Sequence, residues 1–170
     1  NNTIDGAFNL TINTAGQTQF NDQIGATARL KTITTDAPGS VRFKDSVGTT
    51  VGGVTTYAIK IYTTGAQAFN DKVILENDAT FDTTKDLATG ANITFGDTVN
   101  GVADGVQSLT LNSGTAGLVS VVGAMGDVRA LKTFTLTNSG GAGFAAVKTS
   151  TSVVLSDTVE IGRASCRERV

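Results

Sequence analysis

The sequence predicts an all-β protein wound as a parallel β-helix, a β-solenoid of about six turns with 23–26 residues in each. Three observations lead there. The pattern Phe-x-Asp-x-(Val/Ile) recurs at Phe20-Asn21-Asp22-Gln23-Ile24, Phe43-Lys44-Asp45-Ser46-Val47, Phe69-Asn70-Asp71-Lys72-Val73 and Phe95-Gly96-Asp97-Thr98-Val99, and its Phe positions are spaced by 23, 26 and 26. A period in the twenties marks a supersecondary unit that cannot bury its own apolar face and must stack on its neighbours. Apolar and polar residues also alternate with a period of two over short runs, as in strands with one buried face. Finally, Thr and Val suit half-buried pleated surfaces, while twenty Gly, with Asn and Asp, supply turns.

The elements follow in order. Phe8, Leu10 and Ile12 alternate with Asn9, Thr11 and Asn13. Leu30, Ile33, Val41, Phe43 and Val47 continue the pattern with interruptions. Tyr57, Ile59 and Ile61 alternate with Ala58, Lys60 and Tyr62, Leu109 and Leu111 with Thr110 and Asn112, and Phe134 and Leu136 with Thr133, Thr135 and Thr137. No helix is expected; Ala142 to Lys148 is the nearest candidate, but it is short and ringed by Gly. Each turn holds about three short strands, and stacked turns pair strand on parallel strand at ~4.8 Å. Side chains one period apart then stack, so Phe20, Phe43, Phe69 and Phe95 are expected to form one internal aromatic column. Burying each contributes roughly 1.5–3 kcal/mol before entropy costs.

The repeat has a second level. Val121 lies 26 after Phe95 and Phe144 lies 23 after Val121, so the spacings read 23, 26, 26, 26, 23. Phe20 to Val121 and Phe43 to Phe144 both span 101 residues. Leu30-Lys31-Thr32-Ile33-Thr34 matches Leu131-Lys132-Thr133-Phe134-Thr135 at the same offset. Thr3-Ile4-Asp5-Gly6 matches Thr98-Val99-Asn100-Gly101, and Leu10-Thr11-Ile12-Asn13 matches Leu109-Thr110-Leu111-Asn112, at offsets of 95 and 99. The chain therefore reads as one and a half copies of a four-turn unit cut from a longer array, with neighbouring repeats of the same parent chain as partners. Raw strand edges at both ends predict end-to-end association or marginal stability.

Asp22, Asp45, Asp71 and Asp97 recur with the motif, which places them in a second column. Four inward carboxylates ~5 Å apart would repel strongly. One reading puts each at a bend, solvated or accepting backbone N–H bonds. The other is a carboxylate column that holds Ca²⁺. The Gly-Gly-x-Gly-x-Asp pattern of calcium-binding nonapeptide repeats is absent.

The last ten residues, Ile161-Gly162-Arg163-Ala164-Ser165-Cys166-Arg167-Glu168-Arg169-Val170, break every pattern and hold the only Cys. They match, residue for residue, the translation of a common sequencing adapter, ATC GGA AGA GCG TCG TGT AGG GAA AGA GTG. Residues 1–159 are therefore read as the solenoid segment and 160–170 as non-native sequence. Residues 1–159 carry ten Lys/Arg and thirteen Asp/Glu, a net charge of −3. No basic patch supports nucleic-acid binding. Without that Cys there is no disulfide framework or Cys-based metal site, and with no His the commonest general base is missing. No segment approaches the ~20 apolar residues that span a bilayer, and Asn1-Asn2-Thr3 opens no visible signal peptide.

Catalytic constellations are missing. Asp82 with Asp86 and Glu76 with Asp78 are the acidic pairs, and Asp78, Asp82, Lys85 and Asp86 lie close together in a Thr-rich, loop-like stretch read as a solvated turn. No nucleophile elbow, phosphate loop or metal-ligand spacing occurs, and the many Ser and Thr lack the usual activating base. Asn9-Leu10-Thr11 and Asn92-Ile93-Thr94 match the glycosylation sequon, with Asn9 on the outward face of its strand. No catalytic, cofactor-binding or metal-ligating residue is assigned, no cofactor is expected, and the chain is not read as an enzyme.

The stretches TIDGAFNLTINTAGQTQFND, ARLKTITTDAPGSVRF and TTGAQAFNDKVILENDATF resemble the repeats of very large bacterial surface proteins, the filamentous-haemagglutinin-type adhesins and autotransporter passengers. The resemblance covers most of residues 1–159 and rests on repeat style. It implies a right-handed parallel β-helix in a secreted fibre at the bacterial cell surface, whose shaft is structural and whose binding lies in loops or other regions. Host or bacterial surface glycans or proteins are then the outer partners. Two other readings stand beside it: a tandem of bacterial Ig-like sandwich domains, for which ~100 residues is also the right size, and a β-helical carbohydrate-active enzyme.

Overall fold

The computed structural model describes residues 3–84 and 88–155. Lys85, Asp86 and the 160–170 tail lie outside the described residues. Within them the chain is all β, with no helix. The strands are β1 (Asn9–Ile12), β2 (Gln17–Phe20), β3 (Thr32–Thr35), β4 (Ser40–Phe43), β5 (Thr49–Val51) and β6 (Val54–Thr56). Then come β7 (Ala58–Tyr62), β8 (Gln67–Phe69), β9 (Lys72–Leu75), β10 (Asp78–Asp82), β11 (Ile93–Phe95) and β12 (Val99–Gly101). The last five are β13 (Leu109–Asn112), β14 (Leu118–Met125), β15 (Leu131–Asn138), β16 (Gly141–Val147) and β17 (Thr149–Leu155).

These strands form three parallel rows. Row one runs β1, β3, β8, β11, β14, β16, and row two runs β2, β4, β9, β12, β14. The long β14 belongs to both and joins them into one curled sheet. Row three runs β7, β10, β13, β15, β17, and isolated bridges from Ile4 to Ile24 to Ile61 extend it toward the N-terminus. The chain visits the rows in the order one, two, three each time, a solenoid-like winding. Thirteen of the fourteen strand pairings among the described residues are parallel, and β5 with β6 is the antiparallel exception. Greek-key sandwiches are built from antiparallel pairs, so the described strands are not those of an Ig-like domain. The Gly-ringed segment considered for a helix is the edge strand β16.

Period-two alternation holds within the rows, whereas Phe8, Val47 and Tyr57, expected on buried faces, are exposed because they lie outside the row strands. In β10, Ala79 and Phe81 are buried and Asp78, Thr80 and Asp82 are not. The three rows point their apolar positions into one shared core, which includes Ile33, Val41, Ile61, Leu75, Ile93 and Leu111.

Phe20, Phe43, Phe69 and Phe95 are all internal, but they do not form one column. Phe20 pairs with Phe43 in row two, and the next residue in that register is Leu75. Phe69 pairs with Phe95 in row one, preceded by Thr35 and followed by Val121. Two stacked pairs result, Phe20–Phe43 (centroids 5.4 Å apart, 11° between planes) and Phe69–Phe95 (5.4 Å, 20°). Phe81, from row three, joins them edge-on, at 5.4 Å from Phe43 and 5.3 Å from both Phe69 and Phe95. The slip has a local cause. Residues 44–57 leave the rows to build the β5–β6 hairpin, so the 26 residues from Phe43 to Phe69 advance the chain by two rows instead of three.

The 101-residue unit is corrected in the same way. Leu10 and Ile33, in row one, match Leu109 and Phe134 in row three. Ile4, bridged to row three, matches Val99 in row two, and Phe20 and Phe43 in row two match Val121 and Phe144 in row one. Every match steps back by one row. The unit therefore spans three and two-thirds circuits, not four. Local geometry repeats even though the row does not. Asp5 Oδ1 accepts from the backbone N–H groups of Thr27 and Ala28 at 2.9 and 3.1 Å, and Asn100 Oδ1 accepts from those of Val128 and Arg129, both at 3.1 Å. Gly25 and Gly126, 101 apart, both hold positive φ, 68° and 71°, where an L side chain is strained.

Phe81 touches three rings, whereas Phe20 touches one and is slightly exposed. Phe81→Ala should cost ~3–5 kcal/mol of unfolding free energy, the range for a fully enclosed Phe, and Phe20→Ala clearly less. Chemical denaturation of the two variants checks the order; equal losses would contradict it.

Candidate functional site

The feature that stands out from the rows is the excursion between β4 and β7. Its construction begins at Asp45, which is buried. One carboxylate oxygen accepts from the backbone N–H groups of Val47 and Gly48 at 3.1 and 2.9 Å, and the other accepts from that of Ala58 at 3.1 Å. Asp45 thus pins both ends of the loop, and its own N–H donates to Asn77 Oδ1 in the next circuit. Beyond this staple, Thr49-Thr50-Val51 and Val54-Thr55-Thr56 pair antiparallel. Gly52 and Gly53, with φ of 57° and 79°, close a two-residue turn with positive φ at both positions, the geometry that matches strand twist in a hairpin. All six strand residues are exposed. Val47, Val51, Val54 and Tyr57 expose large apolar side chains along the same excursion.

A cavity of about 410 Å³ lies at the base of the hairpin, lined by Asp22, Gln23, Asp45, Thr49, Thr56 and Lys60 among others. Gln23 spans one side of it. Its amide N–H donates to Ala58 O, and its carbonyl accepts from the Lys60 backbone N–H, so the side chain replaces a missing strand rung. Asp22 accepts from the Gln23 N–H. The carboxylates here are engaged by the chain itself, leaving a polar cleft edged by hydroxyls and one ammonium.

The four motif aspartates do not share a column. Asp22 and Asp45 sit at the corner after row two, and Asp71 and Asp97 at the corner after row one. Three of them accept nearby backbone N–H bonds, with Asp97 taking that of Thr98 at 2.7 Å. That matches the bend reading. Asp71 differs. It is buried, and neither oxygen accepts a well-formed hydrogen bond. Burial pushes its carboxyl above the ordinary range; the neighbouring Thr35 hydroxyl opposes this, and the charges of Asp36 and Asp97 add to it. Among the described residues no three Asp, Glu, His or Cys side chains are grouped to hold a metal ion.

Each described member of the acidic pairs has partners of its own. Glu76 bonds Arg42 and faces Lys44 at 3.5 Å. Asp78 and Asp82 stand on strand β10 rather than in a loop. Asp78 accepts the Ser108 N–H, and Asp82 bonds Arg29 at 2.9 Å, with the guanidinium also 4.5 Å above the Tyr62 ring. Burial alone would raise the Asp82 carboxyl, but the Thr84 N–H and Arg29 outweigh it and hold the carboxyl low. Of the two sequons, Asn9 is exposed, and Asn92 accepts the Leu118 N–H.

Two features of the structure have no counterpart among the expected motifs. Thr63, Thr83, Ser113 and Ser139 are buried at the corner that leaves row three. The first three donate their hydroxyls to carbonyls of Gly65, Ala91 and Gly117 at the start of the next row-one segment. The second is the hairpin, which the sequence reading missed although Gly52-Gly53 between two β-branched runs is a hairpin signal.

No family model, curated protein or solved structure matches the chain. Among the described residues no helix is long and apolar enough to cross a membrane.

Asp45→Ala should free the hairpin base and cost at least ~1.5–3 kcal/mol, because three N–H donors lose a charged acceptor. Faster proteolysis between Ser46 and Tyr57, with a lowered denaturation midpoint, would register it. For Asp71 the sign is opposite. A carboxyl whose folded pKa is raised binds its proton more tightly in the folded state, so its charged form destabilises the fold above that pKa. Asp71→Asn should therefore raise the melting temperature at pH 7, and the gain should fade as the pH drops through the carboxylate range. A loss at pH 7 would contradict the assignment.

Proposed function

We propose that this chain is a structural, non-catalytic shaft segment of a secreted or cell-surface bacterial adhesin, wound as a right-handed β-helix of about six turns. One observation carries the reading: three parallel rows, visited in constant order, share a side-chain-filled core from the first described circuit to the last. Such a winding adds length by adding circuits, each in contact only with its neighbours, and makes an extended rod at ~4.8 Å per circuit. The repeat style of residues 1–159 supports the same reading. The stapled hairpin and its cleft then form an outgrowth on the shaft wall, and neighbouring repeats, or surface glycans or proteins, are the partners such a rod would meet.

Grafted in frame between turns of an established β-helical passenger, residues 3–155 should be exported and displayed in a protease-resistant form, lengthening the shaft. Loss of display with the host shaft otherwise intact would overturn the proposal. Release of new reducing ends from a panel of bacterial and plant polysaccharides would favour a carbohydrate-active enzyme instead.

A further inference from the structure

The β5–β6 hairpin can be considered independently of how the shaft is used. It is a two-stranded ribbon outside the rows, and its strands pair with nothing but each other among the described residues. Each strand therefore presents one outer edge of backbone donors and acceptors, which is a template for another strand. Edges of this kind are normally guarded by charge, Pro or cover. Here no charged residue and no Pro occurs from Ser46 to Ile59. The segment is also made of strand-favouring residues, and a two-stranded hairpin is marginal alone, gaining stability when it acquires further strands.

We propose that this hairpin is a docking surface for the same hairpin of a second copy of the chain, the two adding edge to edge as a four-stranded antiparallel sheet about a two-fold axis. The occupant follows from the sequence. A partner strand must be extended, uncharged and β-branched to match exposed Thr and Val. The hairpin meets all three conditions itself, because its strand residues Thr49, Thr50, Val51, Val54, Thr55 and Thr56 are extended, uncharged and β-branched, and the order Thr-Thr-Val-Gly-Gly-Val-Thr-Thr gives both edges the same composition. Centred on Thr50, an antiparallel pair of β5 strands sets Thr50 against its own copy and Thr49 against Val51. Centred on Thr55, a pair of β6 strands sets Thr55 against its copy and Val54 against Thr56. Every cross-strand neighbour is then a β-branched pair, a favourable match on a sheet face. A two-fold contact is self-complementary and closes at the dimer. The strands are only three residues long, so the contact falls well below the ~1,200 Å² of a stable interface and dissociates at ~0.1–1 mM.

Sedimentation equilibrium of the chain from ~10 μM to ~1 mM tests this range. The mass should rise from 17.4 kDa toward twice that value. Thr50→Lys tests the β5 edge and Thr55→Lys the β6 edge. On the edge that pairs, two like charges meet only in the dimer, so association should weaken by roughly tenfold or more while the melting temperature holds. Mixing that variant with the Glu variant at the same position should restore association, a rescue that requires direct apposition. Three results would overturn the proposal: a chain that stays monomeric throughout, association untouched by both lysines, or association retained when residues 49–56 are replaced by Gly-Gly. The last would place the contact at the ends of the rows.

Discussion

The described fold depends on in-register parallel stacking around a shared aromatic centre. Phe81 reaches from row three to Phe43 in row two and to Phe69 and Phe95 in row one. No row has a second apolar face to bury elsewhere, so each must present its inward residues at the height where the other two present theirs. Loss of one ring there leaves a gap that three rows border, because packed interiors relax only partly. The hydroxyl corner of Thr63, Thr83 and Ser113 serves the same end by polar means: it satisfies carbonyls where the chain turns from row three to row one.

How far the sequence revealed this depends on what a repeat measures. Strand character, burial alternation and stacking were legible, because side chains alternate along any strand. The corner built on Asp5 and again on Asn100 was legible as a matched segment. Which row each segment joins was not. A sequence period counts residues, while a row is assigned by how many corners have been turned. The loop pinned by Asp45 consumes residues without turning the next corner, so the Phe series passes from row two to row one between Phe43 and Phe69 over 26 residues, the same spacing that separates Phe69 from Phe95 within one row. Burial was equally hidden. Asp71 and Asp97 occupy matching motif positions, yet Asp97 accepts a backbone N–H and Asp71 is enclosed without a well-formed hydrogen bond.

The candidate site was hidden for a related reason. Interest in the motif aspartates rested on their forming one column, and the same slip of one row divides them between two corners. What replaces the column is a division of labour at a single corner. Asp45 spends its charge on three backbone N–H groups, which fixes a ribbon of uncharged residues where it can meet other molecules.

The offset of one row has a consequence for the exterior. In a solenoid whose sequence unit equalled a whole number of circuits, matched segments would stack directly above one another and matched surfaces would form stripes along the rod. Here matched segments step from row one to three, three to two and two to one. The corner of Asp5 with Thr27 and Ala28 and the corner of Asn100 with Val128 and Arg129 therefore follow different rows, and the chain shows related chemistry on different sides. Their partners differ accordingly: Arg29 reaches across to Asp82 and the Tyr62 ring, whereas Arg129 pairs with Asp104 in the preceding circuit. Because three rows close a circuit, three such offsets would be needed to return a segment to its starting row. Sequence repetition in this fold thus secures a uniform interior, while the surface is distributed around the axis.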